Sequence, residues 1–388
     1  MTNRSQTMRA CVLYDAGRIE VREVPKPQPG PRDVLVRVTA VGLCGTDVHI
    51  YAGEANYNFG SLGHPIPLTE QTQILGHEIT GVVEEMGSEV RDLAVGDRVI
   101  IDQGINCMSR RRRPLCEYCQ TGDSHQCEFY AEHGITGLQG GLAGYICVPD
   151  VNAVAITSDL PSIHAALTEP LACVTHAVEA VNRSSARYSF GASDPARRIQ
   201  SVLVIGAGPA GLLFTQYLRN VIHFDGLLLL SEPNSRKRDL ASRFGGSVID
   251  PTADDLAQTV AERTSGRRVD LLIEASGSAR AYTSIASVLR KQAVLLLYGH
   301  GRRGQDLSVM NGIQFKEPVI ISPTGGSGGF DPDGRPSIYR RALNLLENRA
   351  INVAPLISHQ YPSLDDVSQA LAEDFLSDGY TKGVVNLS

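Results

Sequence analysis

One segment constrains the fold of this chain more than any other. The apolar run Val202 to Ile205 leads directly into a turn spaced G-x-G-x-x-G, which opens a stretch with helical apolar spacing. In such a unit Gly206 allows a tight turn, Gly208 lets a phosphate approach the backbone, and Gly211 allows close helix packing. The free N–H groups and the positive dipole end of the helix are available to phosphates. The segment therefore predicts a βαβ unit that binds the pyrophosphate of a dinucleotide.

The residues around this turn bear on which dinucleotide is bound. Pro209 and Ala210 complete the turn, and Glu232 follows the next apolar run, about the twenty residues on at which a ribose-binding acid is expected. A carboxylate there accepts hydrogen bonds from the ribose hydroxyls and repels a 2′-phosphate, so Glu232 favours NAD. Arg236 and Lys237 could serve a phosphate, which leaves NADP as an alternative.

A cysteine array indicates a metal site elsewhere in the chain. Cys116, Cys119 and Cys127 follow the pattern C-x-x-C-x-x-x-x-x-x-x-C, and Cys107 precedes them across the segment MSRRRRPL. Four thiolates close a tetrahedral site around Zn²⁺ and leave no position for a substrate, so the cluster predicts a structural zinc in a lobe of about residues 104–130. Eight cysteines behind a polar N-terminal stretch favour metal ligation over disulfides, and we expect a cytoplasmic protein.

A second, mixed set of ligand types lies outside this array. Cys44 occurs in GLCGTDVH, His77 and Glu78 occur in LGHE, and Glu169 begins EPLACVTH. Three different protein ligands plus a water leave Zn²⁺ an exchangeable position, as a catalytic metal requires. We therefore predict a catalytic zinc on Cys44, His77 and Glu169. Glu78 is either a further ligand or a residue that tunes ligand exchange.

Two residues close to Cys44 are candidates for proton transfer. Thr46 would place a hydroxyl beside the metal, and His49 would lie one helical turn further out. Histidine is the side chain that titrates near neutrality, so the pair predicts a relay from a bound alcohol to solvent. A surface histidine without this role is the alternative for His49.

Composition narrows the class of protein. The 388 residues are too many for one hydrophobic core and suit two domains. The formal net charge of -6 argues against a nucleic-acid partner, since such proteins present basic surfaces. No apolar run approaches the roughly 18 to 20 residues that would span a bilayer, so we expect no membrane partner.

Hydrophobic periodicity divides the chain into two kinds of domain. Residues 1–163 alternate short strands with turns, as in the period-two run Val34 to Val38, and predict a mainly β domain that residues 324–388 complete. Residues 164–323 alternate helical patterns with continuous apolar runs of the kind that buried parallel strands need. This second part predicts an α/β domain that contains the glycine turn.

The motifs occur in the order seen in a known family. GLCGTDVH, LGHE, the cysteine array, GLQGGLAGY, EPLACVTHA and VLVIGAGPAG resemble those of the zinc-dependent medium-chain dehydrogenase/reductase superfamily, most closely its polyol (sorbitol) and threonine dehydrogenase branch. The resemblance implies an α/β Rossmann cofactor domain plus a mainly β GroES-like catalytic domain, two Zn²⁺ per chain, and a homodimer or homotetramer. By matching position, Cys44 and His77 resemble the catalytic ligands of the family. Glu169 occupies the position where other alcohol dehydrogenases of the family place a second cysteine.

The expected activity is transfer of hydride between NAD and a hydroxyl of a polyol, sugar, cyclitol or amino alcohol, with Zn²⁺ acting on the hydroxyl as a Lewis acid. A carbonyl reductase of the same family that uses NADPH or NADH is one alternative, and a dinucleotide-binding protein without turnover is another. The basic run Arg110 to Arg113 leaves a further choice open, since its arginines either hold a phosphorylated substrate or face solvent.

Overall fold

The structure, a computed structural model, describes residues 6–300 and 308–388. Its strands are β1 (Thr7–Asp15), β2 (Arg18–Pro25), β3 (Asp33–Leu43), β4 (Gln73–Ile74), β5 (Glu78–Met86), β6 (Arg98–Ile101), β7 (Gly104–Ile105), β8 (Ala131–Glu132), β9 (Tyr145–Pro149), β10 (Ala153–Ala155), β11 (Ser201–Ile205), β12 (Leu227–Ser231), β13 (Ser247–Ile249), β14 (Val269–Glu274), β15 (Leu289–Leu297), β16 (Val319–Ile321), β17 (Ile357–Tyr361) and β18 (Lys382–Asn386). Its helices are α1 (Gly45–Tyr51), α2 (Glu117–Thr121), α3 (Ser162–Ala165), α4 (Thr168–Arg183), α5 (Pro209–Asn220), α6 (Ser235–Arg243), α7 (Leu256–Arg263), α8 (Ala279–Val288), α9 (Val309–Gln314), α10 (Ser337–Glu347) and α11 (Val367–Ala372). None of these helices combines the length and the apolar character needed to cross a membrane.

The described residues divide into two compact units. The first lies within Met1–Ala172, Gly326–Arg349 and Ile357–Ser388. The second lies within Cys173–Gly325 and Ala350–Leu356. Each unit has its own cluster of buried apolar side chains.

Strand β3 is the centre of the first unit. It pairs antiparallel with β5, β9 and β18 in a sheet whose main path runs β10-β6-β5-β3-β18-β17. The period-two run forms a strand as predicted, and Leu35 is as inaccessible as Val34 and Val36, so both faces of this strand are covered. Because β3 is held in the middle of the sheet, the segment that follows its carboxyl end has a fixed position.

The second unit is a doubly wound α/β domain. Its parallel strands lie in the order β13-β12-β11-β14-β15-β16, and β11 pairs directly with β14. The chain runs from β11 outward to β13 and then returns to β14, so the loops after β11 and β14 diverge at the point where such sheets bind ligands. This order confirms the predicted Rossmann domain.

A short segment near the C-terminus belongs to the second unit as well. The Gln216 side chain on α5 donates to the Asn352 carbonyl at 3.0 Å and accepts from the Asn352 N–H at 2.8 Å. The two bonds satisfy the backbone of residues that have no strand partner of their own. Hydrophobic periodicity does not predict this contact, because the contact depends on a single buried side-chain amide.

Candidate active site and zinc lobe

The carboxyl end of β3 and the amino end of β5 position two of the predicted ligands. Cys44 follows β3 and is the N-cap of α1, while His77 directly precedes β5. The buried Asp47 accepts the Cys44 N–H through Oδ2 at 2.9 Å and the Gly76 N–H through Oδ1 at 3.0 Å. One carboxylate therefore fixes both ligand-bearing loops. Its place three residues after Cys44 is the sequence signal of a capping box.

Cys44, His77 and Glu78 form a compact donor set, with one ligand atom of each residue within 4.8 Å of the others. His77 Nδ1 and Glu78 Oε2 are buried and have no hydrogen-bond partner among the described residues. The Glu78 carboxylate fits because Gly42 lies opposite it on β3, where a Cβ would collide with Oε2. A thiolate, an imidazole and a carboxylate with an unfilled buried oxygen are a donor set that suits Zn²⁺.

Lys382 is a residue of this site that the sequence analysis missed. It is only 2% exposed, and its ammonium donates to the Glu78 carboxylate and, at 2.9 Å, to the Leu43 carbonyl. Burial by itself lowers the pKa of this lysine, but the charges of Glu78 and Cys44 outweigh burial and raise it. The sequence signal for it was a lysine at the start of the apolar segment KGVV. A lysine buried with such a segment needs an acidic partner, since lysines are almost never fully buried unless they are paired.

Asp47 also acts on His77. Its Oδ1 lies 3.5 Å from His77 Nδ1. Burial disfavours charge on both groups, but their mutual attraction lowers the pKa of Asp47 and raises the pKa of His77 well above its usual value. A carboxylate beside Nδ1 orients the ring and leaves Nε2 for a metal, as is usual around metal-binding histidines.

The two predicted relay residues lie on α1. The Thr46 hydroxyl is 3.8 Å from Cys44 Sγ, so it stands beside the donor set. His49 lies one turn further along the helix with 34% of its side chain exposed, and its Nδ1 is 2.7 Å from Glu54 Oε2. The hydroxyl is thus close to the donors and the imidazole is close to solvent, which is the order that a proton path requires.

Glu169 is held by a separate polar network. It is the second residue of α4, it is buried, and its Oε1 accepts from the Gln103 amide at 3.1 Å. The Gln103 carbonyl oxygen in turn accepts from the Tyr339 hydroxyl at 2.5 Å. Among the described residues the compact donor set does not extend to Glu169, so its ligation of zinc stays a prediction. Gln103 and Tyr339 were missed because they lie 236 residues apart in the chain.

The four lobe cysteines lie together, with their ligand atoms within 4.8 Å of one another. Cys107 Sγ and Cys116 Sγ are 3.6 Å and 3.8 Å from Cys127 Sγ. A zinc tetrahedron with Zn–S bonds of about 2.3 Å has an edge of about 3.8 Å, whereas a disulfide requires about 2.0 Å. The sulfur spacing therefore fits a closed zinc site that includes Cys107. Burial raises the pKa of the Cys116 thiol, but the N–H donors of Cys119 and Glu128 outweigh it and lower this pKa to about 7.

The four-arginine run of the lobe is spread over separate contacts. Arg110 donates to the Phe129 carbonyl at 3.1 Å, and the Arg112 guanidinium lies 3.6 Å from the centre of the Phe129 ring. Arg111 forms an ion pair with Asp150. Two of these guanidinium groups contact Phe129 and the third is paired with Asp150, so these contacts favour a solvent-facing run over a shared phosphate site.

The glycine turn after β11 has the geometry of a phosphate-binding loop. Gly206 has a φ of 97°, and a Cβ on Gly211 would collide with the Gly206 carbonyl. A Cβ on Gly208 would meet no atom within 4 Å, so there is open space over this residue. Gly208 is the N-cap of α5, and Pro209 and Ala210 begin the helix. The helix N–H groups therefore face a space that a phosphate can enter.

Glu232 lies against this turn. Its Oε2 accepts from the Ala207 N–H at 2.7 Å, and its Oε1 accepts from the Asn234 N–H at 2.9 Å. Each oxygen keeps a second lone pair, so the carboxylate can bind ribose hydroxyls while these bonds hold it in place. Asn234 caps α6, which carries Arg236 and Lys237 in its first turn.

Fold and site together define a class of protein. One unit is a Rossmann domain with a phosphate-binding turn. The other contains a mixed sulfur, nitrogen and oxygen donor set and a closed cluster of four thiols. These are the parts of a zinc-dependent oxidoreductase that uses a dinucleotide.

Comparison with known proteins identifies the family. Residues 30–158 match the family described as alcohol dehydrogenase GroES-like domain, and residues 162–320 match the one described as glucose dehydrogenase C-terminus. L-threonine 3-dehydrogenase of Pyrococcus abyssi (strain GE5 / Orsay) is 30% identical over 352 residues, which is 90% of each protein. Sorbitol dehydrogenase of Halalkalibacterium halodurans is 29% identical over 353 residues, again 90% of each. A crystal structure of a zinc-binding dehydrogenase from Sinorhizobium meliloti 1021 bound to NADP matches 98% of this chain and 99% of that one, with 30% identity and a TM-score of 0.77.

The chain belongs to the zinc-dependent medium-chain dehydrogenase/reductase family, in its polyol and threonine dehydrogenase branch. It is an oxidoreductase that acts on CH–OH groups, and its cofactors are Zn²⁺ and NAD(P). The predicted combination of a GroES-like domain with a Rossmann domain is confirmed.

Proposed function

We propose that this enzyme oxidises a secondary hydroxyl that lies next to a second polar group, with NAD as the preferred cofactor. Relatives named for L-threonine, for sorbitol, and for erythritol and L-threitol match 90% to 92% of this chain. Each of those molecules carries a hydroxyl beside an amino group or another hydroxyl. The observation that carries the assignment of the reaction centre is the compact set of Cys44, His77 and Glu78.

The residues of the site have separable roles in this reaction. When bound, Zn²⁺ supplies a Lewis acid that lowers the pKa of an alcohol hydroxyl, and the nicotinamide accepts the hydride. Cys44, His77 and one carboxylate would hold the metal. The Thr46 hydroxyl, beside Cys44 Sγ, would take over the proton of the substrate hydroxyl. His49, close to solvent and paired with Glu54, would then release that proton.

Glu78 and Glu169 are both candidates for the carboxylate ligand, and they have different contacts. The Glu78 carboxylate is bonded to Lys382 through Oε1 and has its buried Oε2 unfilled. Glu169 is held through Gln103. Replacing a direct ligand with alanine should remove catalytic zinc, whereas replacing a carboxylate that only positions a ligand should keep zinc and lower turnover about 10- to 100-fold. Zinc content of Glu78→Ala and Glu169→Ala, measured beside turnover, therefore assigns the ligand.

The cofactor preference depends on Glu232. We expect a higher kcat/KM with NAD than with NADP, because this carboxylate would repel a 2′-phosphate. Glu232→Ser should lower the ratio of kcat/KM with NAD to kcat/KM with NADP. Glu262→Ser, which removes one carboxylate from α7 of the same unit, is the matched control and should leave the ratio unchanged. A wild-type enzyme with the higher kcat/KM for NADP would contradict the ribose assignment.

The substrate class is tested by a screen of zinc-loaded protein for formation of reduced nicotinamide. The panel contains sugar alcohols, vicinal diols, threonine-like amino alcohols and, as controls, primary alcohols without a second polar group. A site built to bond a polar neighbour rejects the analogue that lacks it, so we expect kcat/KM to fall at least ~100-fold for the simple alcohols. Equal or faster turnover of the simple alcohols would exclude the proposed class.

The family likeness supports a proposal on the domain roles and on the assembly. We propose that residues 1–163 and 324–388 form the catalytic domain and that residues 164–323 bind the cofactor. We also propose a cytoplasmic homodimer or homotetramer that acts on a small polar alcohol. Light scattering of the purified protein tests the subunit number, and a monomer at working concentration would contradict it.

A further inference from the structure

The second unit contains a cavity of about 380 Å³ that belongs to neither the metal sites nor the glycine turn. Six cations line it: Arg187, Arg267, Arg268, Arg290, Lys291 and Lys316. It lies where β14 and β15 begin, at Val269 and Leu289. The glycine turn follows the carboxyl end of β11, so the cavity is at the opposite edge of the parallel sheet from the dinucleotide site.

A bulge at the start of β15 shapes this cavity. Where β14 contributes the single residue Asp270 between two register pairs, β15 contributes residues 290–293. Gln292 in the bulge has a φ of 58°, and Arg268 before β14 has a φ of 71°. Both residues line the cavity. Bulges and left-handed residues other than glycine concentrate at functional sites, where they direct side chains that a regular strand would not present.

Three of the guanidinium groups are held in place by the protein. Asp270 is fully buried and lies 2.9 Å from Arg290 and 3.3 Å from Arg267. The guanidinium carbons of Arg290 and Arg187 lie 5.0 Å and 5.7 Å from the ring centre of the buried Tyr188, within the range of cation–π contacts. These contacts place Arg267 and Arg290 against Asp270, and Arg187 and Arg290 beside Tyr188, on the cavity wall.

The positive charges of the other three cations are not paired with any carboxylate that the structure describes. Among the described residues, Arg268, Lys291 and Lys316 make no ion pair with a carboxylate. The carboxyl ends of α4, α7 and α8 attract cations, but each contributes only roughly half a negative charge. Glu317 also lies at the cavity, where its Oε2 accepts from the side chain of the lining residue Gln292 at 3.4 Å. Together with Asp270 and Glu317, the helix ends leave an excess of roughly two to three positive charges around the cavity. Compensation of helix ends therefore does not account for six cations.

We propose that this cavity binds a small anion that carries two or more linked phosphate groups. Arginine forks pair with phosphate oxygens in a bidentate manner, and four of the six cations are arginines. The volume lies in the range of small-molecule sites, about 300 to 1,000 Å³. Several phosphate groups are needed to offset the excess positive charge. The ligand is either a nucleotide or an inorganic polyphosphate, which share this chemistry.

The proposal is tested by calorimetric titration of zinc-loaded protein that has been saturated with NADH, so that the glycine turn is occupied. Sodium triphosphate and ATP are the probes, citrate is the carboxylate control, and zinc content is measured before and after each titration. We expect one triphosphate per chain, with Kd at least tenfold higher in the double variant Lys291→Gln/Lys316→Gln. ATP binding tighter than triphosphate assigns the site to nucleotides, and equal or weaker ATP binding assigns it to inorganic polyphosphate.

The matched control is Arg197→Gln/Arg243→Gln, which removes two exposed cations of the same unit that do not line the cavity. It should change Kd less than twofold, and both double variants should keep the wild-type melting temperature. If both double variants weakened triphosphate binding equally, the weakening would reflect general surface charge and not the cavity. Absence of saturable triphosphate binding, or citrate binding as tight as triphosphate, would overturn the proposal.

Discussion

The substitution Lys382→Met should destabilise the first unit and should do so more strongly when zinc is absent. Methionine preserves most of the length of the buried side chain but removes the ammonium that bonds Glu78 and the Leu43 carbonyl. Glu78 is fully buried, so its carboxylate would be left without the cation that compensates it. Bound Zn²⁺ would supply positive charge at the same carboxylate, and the penalty should then be smaller.

The size of the effect follows from the burial of the pair. Removing one member of a buried ion pair costs about 3 to 5 kcal/mol, because the other charge stays buried. The first unit spans about 230 residues, and at this size each kcal/mol changes Tm by about 2 °C. We therefore expect Tm of the zinc-free protein to fall by about 6 to 10 °C. The zinc-loaded protein should lose clearly less.

Scanning calorimetry of the zinc-loaded and zinc-free forms measures both values. Lys291→Met, at an exposed lysine, is the control and should change stability by no more than about 0.5 kcal/mol. The double variant Lys382→Met/Glu78→Gln should recover part of the loss, because a neutral amide replaces the unpaired carboxylate. A Tm for Lys382→Met within 2 °C of wild type in both forms would refute the reasoning.

Three further predictions address the glycine turn, the zinc lobe and the dependence of stability on pH. Gly211→Ala should weaken NADH binding at least tenfold in a fluorescence titration, because its Cβ would collide with the Gly206 carbonyl; Gly208→Ala meets no atom in the protein, so it should weaken binding without lowering Tm. Cys119→Ser should reduce zinc from two ions per chain to one in elemental analysis and lower Tm, since metal binding and folding are coupled; unchanged zinc content would exclude the structural site. Burial raises the pKa of Asp333, but two arginine partners outweigh it and lower this pKa. Its stabilising contribution is therefore complete above the ordinary pKa of about 3.9 and is lost as pH falls through the folded pKa. Asp333→Asn should lower the free energy of unfolding, measured by urea denaturation, at pH ~7, and this loss should shrink below pH ~3.

The sequence by itself determined the parts of this protein that depend on neighbouring residues. The Rossmann unit was predictable because strand, turn and helix are contiguous, and the constraints on Gly206 and Gly211 arise within a few residues. The cysteine spacing likewise indicated a zinc lobe, and the structure brings Cys107 to the other three thiols across the arginine loop. The capping relation between Cys44 and Asp47 is local too, at a spacing of three residues.

Only the tertiary structure decided which distant polar groups meet. Lys382 reaches Glu78 across 304 residues of chain, and Tyr339 reaches Gln103 across 236. The basic cavity likewise draws its cations from separate segments of the second unit. Hydrophobic periodicity reports which face of a helix or strand is buried, but it does not report which partner a buried charge finds. That choice is made by packing, because a buried polar group must be paired by whatever segment the fold brings next to it.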